Sequence, residues 1–386
     1  MIYYIKVRRF KNALAKRSKK AVFRKIRGNF KMKNNFKRFT AVFLAALLLF
    51  SVSGCKKNQM TETTTAPTTA TPSTTKPKAT DYNRLTGLDN LSKEAKGCRP
   101  VAIMINNINQ SLPQYGIYGA DLMFECLVEG GITRMMAVFA DYTKVPKVCS
   151  VRSCRYYFPI FAYGLDAVYF CFGSNKSLGT ATLNKLGIDY FDGSQNYDEL
   201  VFGRDPDRLA RYSREHTAYV NGKNIPELFK KYNIRTEYRD GKDSYIFNFV
   251  APKKVSKQKC TELTLNFSNS YYSTFTYDAK RKLYLKQHNG KPHMDSGVDK
   301  QLAYRNVFAL ETDVSLYDGG PLVQMNWKGG TGYYISCGTV KKITWTKANA
   351  DSKIVIKGEN GKVIKVNRGN SYIGIVNTGK VEFPTA

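Results

Sequence analysis

Two glutamates that lie four residues apart, Glu125 and Glu129, are the first side chains in this sequence whose spacing suggests chemistry. Paired carboxylates flank the scissile bond in glycoside hydrolases, where they stand about 5–9.5 Å apart. On a β-strand, however, four residues span about 13 Å. The two glutamates therefore do not form a catalytic pair. Together with Arg134 they form either a cross-strand ion-pair surface or a ligand site.

A second group of charged side chains follows in the segment Val151-Arg152-Ser153-Cys154-Arg155. This segment precedes Tyr156-Tyr157-Phe158, where we predict the start of a helix. Guanidinium groups near a helix N-terminus are suited to binding carboxylate or phosphate. Arg152, Arg155 and Arg134 form such an anion site, or they pair with Asp121, Glu125 or Glu129 and hold loops in place.

His216 is one of three histidines in the chain, and it is either a general base or a hydrogen-bonded structural residue. The other two, His288 and His293, flank a predicted turn and have no metal-ligating partner at suitable spacing except Asp295. We find no nucleophile elbow, zinc-protease helix or phosphate-binding glycine loop. The sequence therefore predicts neither a metal nor a cofactor.

Seven cysteines follow Cys55 and contain no Cys-x-x-Cys pair, which argues against zinc or thioredoxin-like chemistry. Cys126 and Cys171 fall in apolar strands and are predicted to pack in the core. Cys149 and Cys154 are close enough in sequence to form a disulfide in an oxidising compartment. Free thiols at both positions are the alternative.

The glutamates and Arg134 depend on a predicted hairpin over residues 122–140, which turns at Gly130-Gly131. A two-residue turn pairs Glu129 with Ile132 and therefore Leu127 with Arg134. Side chains alternate between the two faces of a strand. This register places Glu125, Glu129 and Arg134 on one face.

Around this hairpin, apolar runs such as 101–105 and 167–172 predict buried strands, and apolar residues at helical spacing predict a helix over 225–232. Strands and helices alternate, so we predict an α/β domain over residues 82–250. From residue 251 to residue 386 the helical patterns stop, and short strands separated by Gly, Asn and Asp predict a mostly antiparallel β-rich domain.

The N-terminal 54 residues are predicted to be a basic leader with a lipoprotein signal peptide. An uncharged apolar run at 41–52 is too short to span a membrane, and it ends in Val52-Ser53-Gly54-Cys55, which resembles the bacterial lipobox. In such signals the cysteine thiol is diacylated. Translation begins at Met32, or at Met1 with a long basic region. The Thr- and Pro-rich residues 55–81 are predicted to form an extended tether.

The formal charge of +31 is uneven, because residues 1–54 carry 15 basic and no acidic residues. The remaining chain has 46 basic and 30 acidic residues, a net +16. This composition does not by itself indicate nucleic-acid binding. Pairs such as Lys253-Lys254 and Lys341-Lys342 are predicted to be solvated, and the summed charge draws the domain towards anionic polymers or lipid headgroups.

The chain resembles the YerB-like lipoproteins, a bacterial family classed as a domain of unknown function. The N-terminal segments that carry the resemblance are 99–107, Ala120-Asp121, 128–134 and 151–155, and those of the C-terminal half are 289–293, 332–334 and 343–345. The resemblance implies a three-layer α/β domain followed by a β-rich C-terminal domain on a lipid anchor. It implies no assigned reaction.

The sequence departs from the family pattern at three places. Asn106 stands where the family usually has Asp, and Ser111-Leu112 replaces a pair of a small residue and Arg. Glu215-His216-Thr217 replaces a Pro-His-Asn-like element. An activity that required that Asp or that Arg would therefore be missing from this chain.

These observations lead to one principal hypothesis, a protein held at the extracytoplasmic face of the cell membrane by a lipid on Cys55. It would bind a cell-wall polymer or an envelope protein through a polar cluster. The predicted members of the cluster are Asp121, Glu125, Glu129, Arg134, Arg152, Arg155 and His216. The alternative is a hydrolase or transferase acting on cell-wall material, with His216 or Glu129 as acid/base. A third possibility is a scaffold for another protein.

Overall fold

The computed structural model describes residues 82–195, 197–239 and 245–384. All of them belong to the compact unit Thr74–Ala386. The predicted leader, Cys55 and the tether lie outside the described residues. Within the described ranges, no helix combines the length and the apolar character needed to cross a membrane.

The α-helices described in the structure are short and lie between residues 157 and 231. They are α1 (Tyr157–Gly164), α2 (Ala181–Leu186), α3 (Pro206–Leu209) and α4 (Ile225–Lys231). Single 3-10 turns occur at Lys93–Ala95, Asn109–Ser111, Glu129–Gly131, Arg214–His216, Gly222–Asn224 and Tyr317–Gly319, and one π-turn at Lys176–Thr180. The helix predicted over 225–232 is confirmed as α4, which buries Ile225, Leu228 and Phe229.

Strands dominate the described chain. They are β1 (Val101–Asn106), β2 (Leu122–Leu127), β3 (Thr133–Phe139), β4 (Lys147–Cys149), β5 (Val168–Cys171), β6 (Tyr190–Asp192), β7 (Phe202–Arg204), β8 (Ala218–Asn221), β9 (Asn248–Val250), β10 (Glu262–Asn266), β11 (Tyr272–Asp278), β12 (Leu283–His288), β13 (Lys291–Pro292), β14 (Met294–Asp295), β15 (Lys300–Gln301), β16 (Ala303–Tyr304), β17 (Asn306–Thr312), β18 (Val314–Leu316), β19 (Val323–Met325), β20 (Gly329–Ser336), β21 (Thr339–Thr346), β22 (Val355–Gly358), β23 (Lys365–Asn367), β24 (Ser371–Asn377) and β25 (Val381–Glu382).

The largest element is a ten-stranded sheet in the order β22-β21-β20-β17-β24-β2-β3-β1-β5-β6. It contains strands from both halves of the chain, because β24 pairs in parallel with β2 on one side and with β17 on the other. The predicted abundance of strands after residue 251 is confirmed. The two halves are nevertheless joined by continuous main-chain hydrogen bonding.

Both faces of this sheet are buried, which explains the uninterrupted apolar run of β1. Ile103 and Ile105 belong to the core on one face, with residues of the second, six-stranded sheet (β13-β12-β11-β10-β25, with β16 beside β12) and of the three-stranded sheet β4-β8-β7. Ala102 and Met104 belong to the core on the other face, with residues of α1 and α2. Because the described helices are short, the three-layer α/β arrangement implied by the resemblance stays a prediction.

The hairpin predicted over residues 122–140 is present as β2 and β3, but its predicted register is wrong by one residue. Leu127 pairs with Thr133, and Cys126 pairs with Arg134. The connection is longer than two residues, because Glu129–Gly131 form a 3-10 turn in which Gly130 and Gly131 both have positive φ. A shift of one residue exchanges the faces of a strand. Arg134 therefore lies on the face opposite to Glu125.

The join between β24 and β2 yields a prediction at Gly374, which lies opposite Glu125. A Cβ added there would come within 2.8 Å of the Tyr372 ring and closer still to Leu265. Gly374→Ala should therefore lower the free energy of unfolding by about 1–3 kcal/mol, measured by urea denaturation. Gly119→Ala is the control, because a Cβ there meets nothing within 4 Å. Equal urea midpoints of unfolding for the two variants would contradict close packing between β24 and β2.

Candidate functional site

The predicted arginine segment lies at the carboxyl ends of two parallel strands, β1 and β5. The backbone N–H of Arg152 donates to the carbonyl of Met104 in β1, and the N–H of Phe172, directly after β5, donates to the carbonyl of Arg152. The N–H of Cys154 donates to the carbonyl of Gly173. Crevices at the carboxyl ends of parallel strands are common ligand sites in α/β sheets. The main chain thus fixes Arg152 and Arg155 at such an edge.

Arg134 projects towards the same edge from β3, where it pairs with Asn106 of β1. Its side chain is buried, and its Nη1 donates to the carbonyl of Ser153 at 2.8 Å. The Nε–H of Arg134 has no hydrogen-bond partner among the described residues. Burial, followed by the nearby Arg155 and Arg152, lowers the pKa of Arg134 to about 9. A buried, partly unpaired guanidinium is therefore held among like charges.

Two ion pairs border Arg134. Arg155 Nε donates to Glu129 Oε2 at 2.5 Å, with both side chains about one-fifth exposed. Arg152 forms an ion pair with Glu215, whose side chain is 53% exposed. We call the group Glu129, Arg134, Arg152, Arg155, Glu215 and His216 the arginine cluster.

His216 completes the arginine cluster from the 3-10 turn Arg214–His216. The side-chain amide of Asn106 donates to His216 Nδ1 at 3.0 Å, so the ring proton lies on Nε2, which is 3.6 Å from Glu215 Oε1. Burial, together with Arg152 and Arg208 and against the effect of Glu215, lowers the pKa of His216. The imidazole is therefore neutral near pH 7 and can accept or donate a hydrogen bond.

Two arginines that the sequence analysis did not single out extend the positive charge. Arg204 stacks over the Phe172 ring at 4.3 Å and donates to the carbonyl of Arg214 at 2.5 Å. Burial, then Arg214 and Arg152, lowers the pKa of Arg204. The pairing of β7 with β8 brings Arg204 close to the arginine cluster, and no motif in the sequence indicates this position.

Two predicted site residues lie elsewhere. Asp121 precedes β2 and accepts hydrogen bonds from Asn83 and from the N–H of Ala140. Its burial raises its pKa to about 6. Glu125 lies on the opposite face of the sheet from Arg134, for the reason of register given above. The structure therefore does not place Glu125, Glu129 and Arg134 on one face.

Glu125 instead belongs to a buried polar network between the two sheets. Its carboxylate lies 3.2 Å from Lys286 Nζ, and both side chains are almost completely buried. Asn107, Thr133, Ser273 and Tyr372 donate the remaining hydrogen bonds to this carboxylate. Burial raises the pKa of Glu125, but the positive charge of Lys286 and the hydrogen bonds from Thr133 and Tyr372 leave that pKa lowered.

The histidines that the sequence placed beside a turn also face this network. Lys286 Nζ donates to His293 Nδ1 at 3.0 Å, and His293 Nε2 donates to Gln114 Oε1 at 2.9 Å. Burial, followed by Lys286, lowers the pKa of His288 to about 4, and it lowers that of His293 well below its usual value. Both rings are neutral structural groups, and no set of three or more His, Cys, Asp and Glu among the described residues could hold a metal ion.

The described cysteines are free thiols, so the disulfide considered between Cys149 and Cys154 is absent from the structure. Burial raises the pKa of both thiols to about 11. Cys126 and Cys171 pack in the core as predicted. The thiols of Cys149 and Cys154 are therefore protonated near neutral pH and are poor nucleophiles.

The pair of Glu125 and Lys286 predicts a strong effect of single substitutions. Lys286→Met leaves a buried carboxylate without its counter-ion and should lower the free energy of unfolding by about 3–5 kcal/mol in urea titrations. The double variant Glu125→Gln, Lys286→Met keeps a hydrogen-bonding amide and should recover most of this loss. A single variant as stable as the parent would contradict the pairing.

The three histidines predict that stability falls with acidification. Each histidine has a lowered pKa in the folded state, whereas the pKa of a histidine in the unfolded chain is about 6.5. Below that pH the unfolded chain binds more protons, so the free energy of unfolding should decrease from about pH 6.5 towards pH 4. The slope of the unfolding free energy against pH reports how many protons the chain takes up on unfolding. His293→Gln, whose side chain can still accept from Lys286 and donate to Gln114, should reduce this uptake by about one proton. An unchanged slope would be inconsistent with a neutral His293.

Comparisons with known proteins agree with this architecture. The family described as "Protein of unknown function (DUF3048) N-terminal domain" matches residues 85–235, and its C-terminal domain matches residues 263–373. A Bacillus subtilis protein named "Putative lipoprotein YerB" is 27% identical over 300 residues, which cover 76% of this chain and 85% of that protein.

The crystal structure of YerB from Bacillus subtilis shows the same fold. It superposes with a TM-score of 0.66 at 23% identity, over 79% of this chain and 99% of that one. The two-domain, strand-rich organisation is thus shared. This chain belongs to the DUF3048 family of YerB-like proteins.

Proposed function

We propose that this protein is a lipoprotein, acylated on Cys55 and held at the extracytoplasmic face of the membrane, that binds an anionic cell-wall polymer through the arginine cluster. The leader over residues 1–54 and the lipobox-like segment before Cys55 support the anchor. The similar Bacillus subtilis protein is itself named as a lipoprotein. A tether over residues 55–81 would separate the folded part from the membrane.

The single observation that carries the binding proposal is the state of Arg134. Its guanidinium is buried beside Arg152 and Arg155, and its Nε–H has no partner in the described part of the chain. Leaving a buried donor unpaired costs about 1–3 kcal/mol. A bound phosphate or carboxylate would satisfy this donor and offset the repulsion among the arginines.

The charge balance of the cluster favours the same class of ligand. Five arginines surround the edge, namely Arg134, Arg152, Arg155, Arg204 and Arg214, and the acidic side chains paired with them are Glu129 and Glu215. Arg152 and Arg155 remain partly exposed, so a polymer can reach them. Cell-wall polymers that carry phosphate or carboxylate groups are anions of the required kind.

The exposed pair of Arg152 and Glu215 allows a test in which two substitutions have opposite effects. Arg152→Gln removes a positive charge and should weaken binding to purified cell walls by about tenfold, whereas Glu215→Gln removes a competing carboxylate and should strengthen binding. The measurement is co-sedimentation with walls before and after chemical removal of their phosphate-bearing polymers.

The controls separate binding from folding and from catalysis. Lys342→Gln changes the same charge far from the cluster in sequence and should leave wall binding unchanged. If both Arg152→Gln and Glu215→Gln weaken binding equally, the pair is structural and the proposal fails. Release of soluble wall fragments that is lost in His216→Ala would favour a hydrolase instead.

A further inference from the structure

A second positively charged site lies in the C-terminal half. A cleft of about 300 Å³ opens beside β9, β21 and β23. Five lysines line it, and we call it the lysine cleft: Lys253, Lys254, Lys341, Lys362 and Lys365. Asn367 and Tyr334 lie at its base, where the N–H of Asn367 donates to the Tyr334 hydroxyl at 2.9 Å.

The lysines of this cleft are not neutralised within the described residues. None of the five forms an ion pair with another described residue. The polar groups at the base of the cleft bond to one another. The Asn367 side chain accepts from the N–H of Lys253 and donates to the carbonyl of Lys253. The ammonium groups are therefore available to a ligand, and their mutual repulsion is relieved by an anion.

An apolar cavity of about 200 Å³ adjoins the lysine cleft. The two share Val363 and Ile364 in their walls. The apolar cavity is lined chiefly by Ile246, Phe247, Ile354, Val355 and Ile356, and Asn248 and Lys353 complete its wall. Val363, at the boundary, is 49% exposed and can therefore be reached by a ligand. Together the two cavities form an amphiphilic site, cationic at one end and mainly apolar at the other.

Residues 84–87 pack next to this site. The N–H of Ile246 donates to the carbonyl of Arg84, and the N–H of Gly369 donates to that of Thr86. Gly87 packs so closely on Phe249 that an added Cβ would lie 2.6 Å from its ring. Residues 84–87 therefore pack beside β9, which also borders the lysine cleft. A lipid on Cys55 would keep the folded part within reach of a membrane surface.

We propose that the lysine cleft and its apolar neighbour bind an anionic membrane lipid. The lysines contact the phosphate headgroup, and the apolar cavity takes part of a hydrocarbon chain. This inference rests on the proposed anchor only because the anchor would keep the protein close to a membrane surface. It is independent of the arginine cluster, which would remain free for a wall polymer.

The test uses the mature chain from residue 55 onward with Cys55→Ser, so that no acyl group contributes to binding. Its affinity is measured by co-sedimentation with vesicles of phosphatidylcholine containing about one-third phosphatidylglycerol. Each lysine near an anionic surface contributes about 1 kcal/mol, so Lys341→Gln with Lys365→Gln should weaken binding by more than tenfold. Val363→Asn should weaken vesicle binding without affecting that of glycerol phosphate.

The matched control carries the same loss of charge outside the cleft. Lys342 follows Lys341 and projects from the opposite face of β21, and Lys230 is exposed on α4. Lys230→Gln with Lys342→Gln should bind anionic vesicles nearly as well as the parent. Equal losses in the two double variants would show a general charge effect and overturn the site.

Further outcomes separate the lipid from other anions and from the proposed function. Equal binding to pure phosphatidylcholine vesicles would overturn the proposal. The proposal would also fail if inorganic phosphate at low concentration displaced the protein from vesicles and Val363→Asn had no effect on vesicle binding. That result would indicate a site for free phosphate. Arg152→Gln should not alter vesicle binding, and the lysine variants should not alter wall binding, so either site can fail alone.

Discussion

The buried ion pair between Glu125 and Lys286 is the interaction on which the arrangement of the two sheets depends. Glu125 lies on β2 at the centre of the ten-stranded sheet, and Lys286 lies on β12 of the six-stranded sheet. Neither charge could remain in an apolar interface without the other. The hydroxyls of Ser273 and Tyr372 and the amide of Asn107 complete the carboxylate's shell. The pair therefore favours one alignment of the two sheets, in addition to the main-chain pairing of β24 with β2.

This constraint also separates the charged residues into two kinds. Side chains on one face of the β2–β3 hairpin serve the interface, whereas Arg134, on the other face, reaches the carboxyl edge of β1 and β5. The segment 151–155 is held at that edge by main-chain bonds to both strands. One hairpin thus supplies a structural ion pair on one side and a partly unsatisfied guanidinium on the other.

Much of the local structure could be predicted from the sequence, because apolar runs such as those of β1 and β5 report burial directly. The face of the sheet on which Arg134 lies could not be predicted, because it depends on one extra residue in the β2–β3 turn, where two glycines have positive φ. Lys286 was missed for another reason. In β12, Leu283 and Leu285 alternate with Tyr284, Lys286 and His288. Hydrophobicity alone would predict that the leucines face the core, but the structure buries Tyr284, Lys286 and His288 instead. Pairing between strands 250 residues apart, as in β2 and β24, leaves no local pattern at all.

The position of β24 has a consequence for biosynthesis. It lies between β2 and β17, so each of those strands has one unpaired edge until residues 371–377 have been synthesised. A nascent chain that ends before residue 371 would expose two open ladders of N–H and C=O groups, which are templates for pairing between molecules. A stop codon that falls before residue 371 would thus yield an aggregating product rather than only a shorter one.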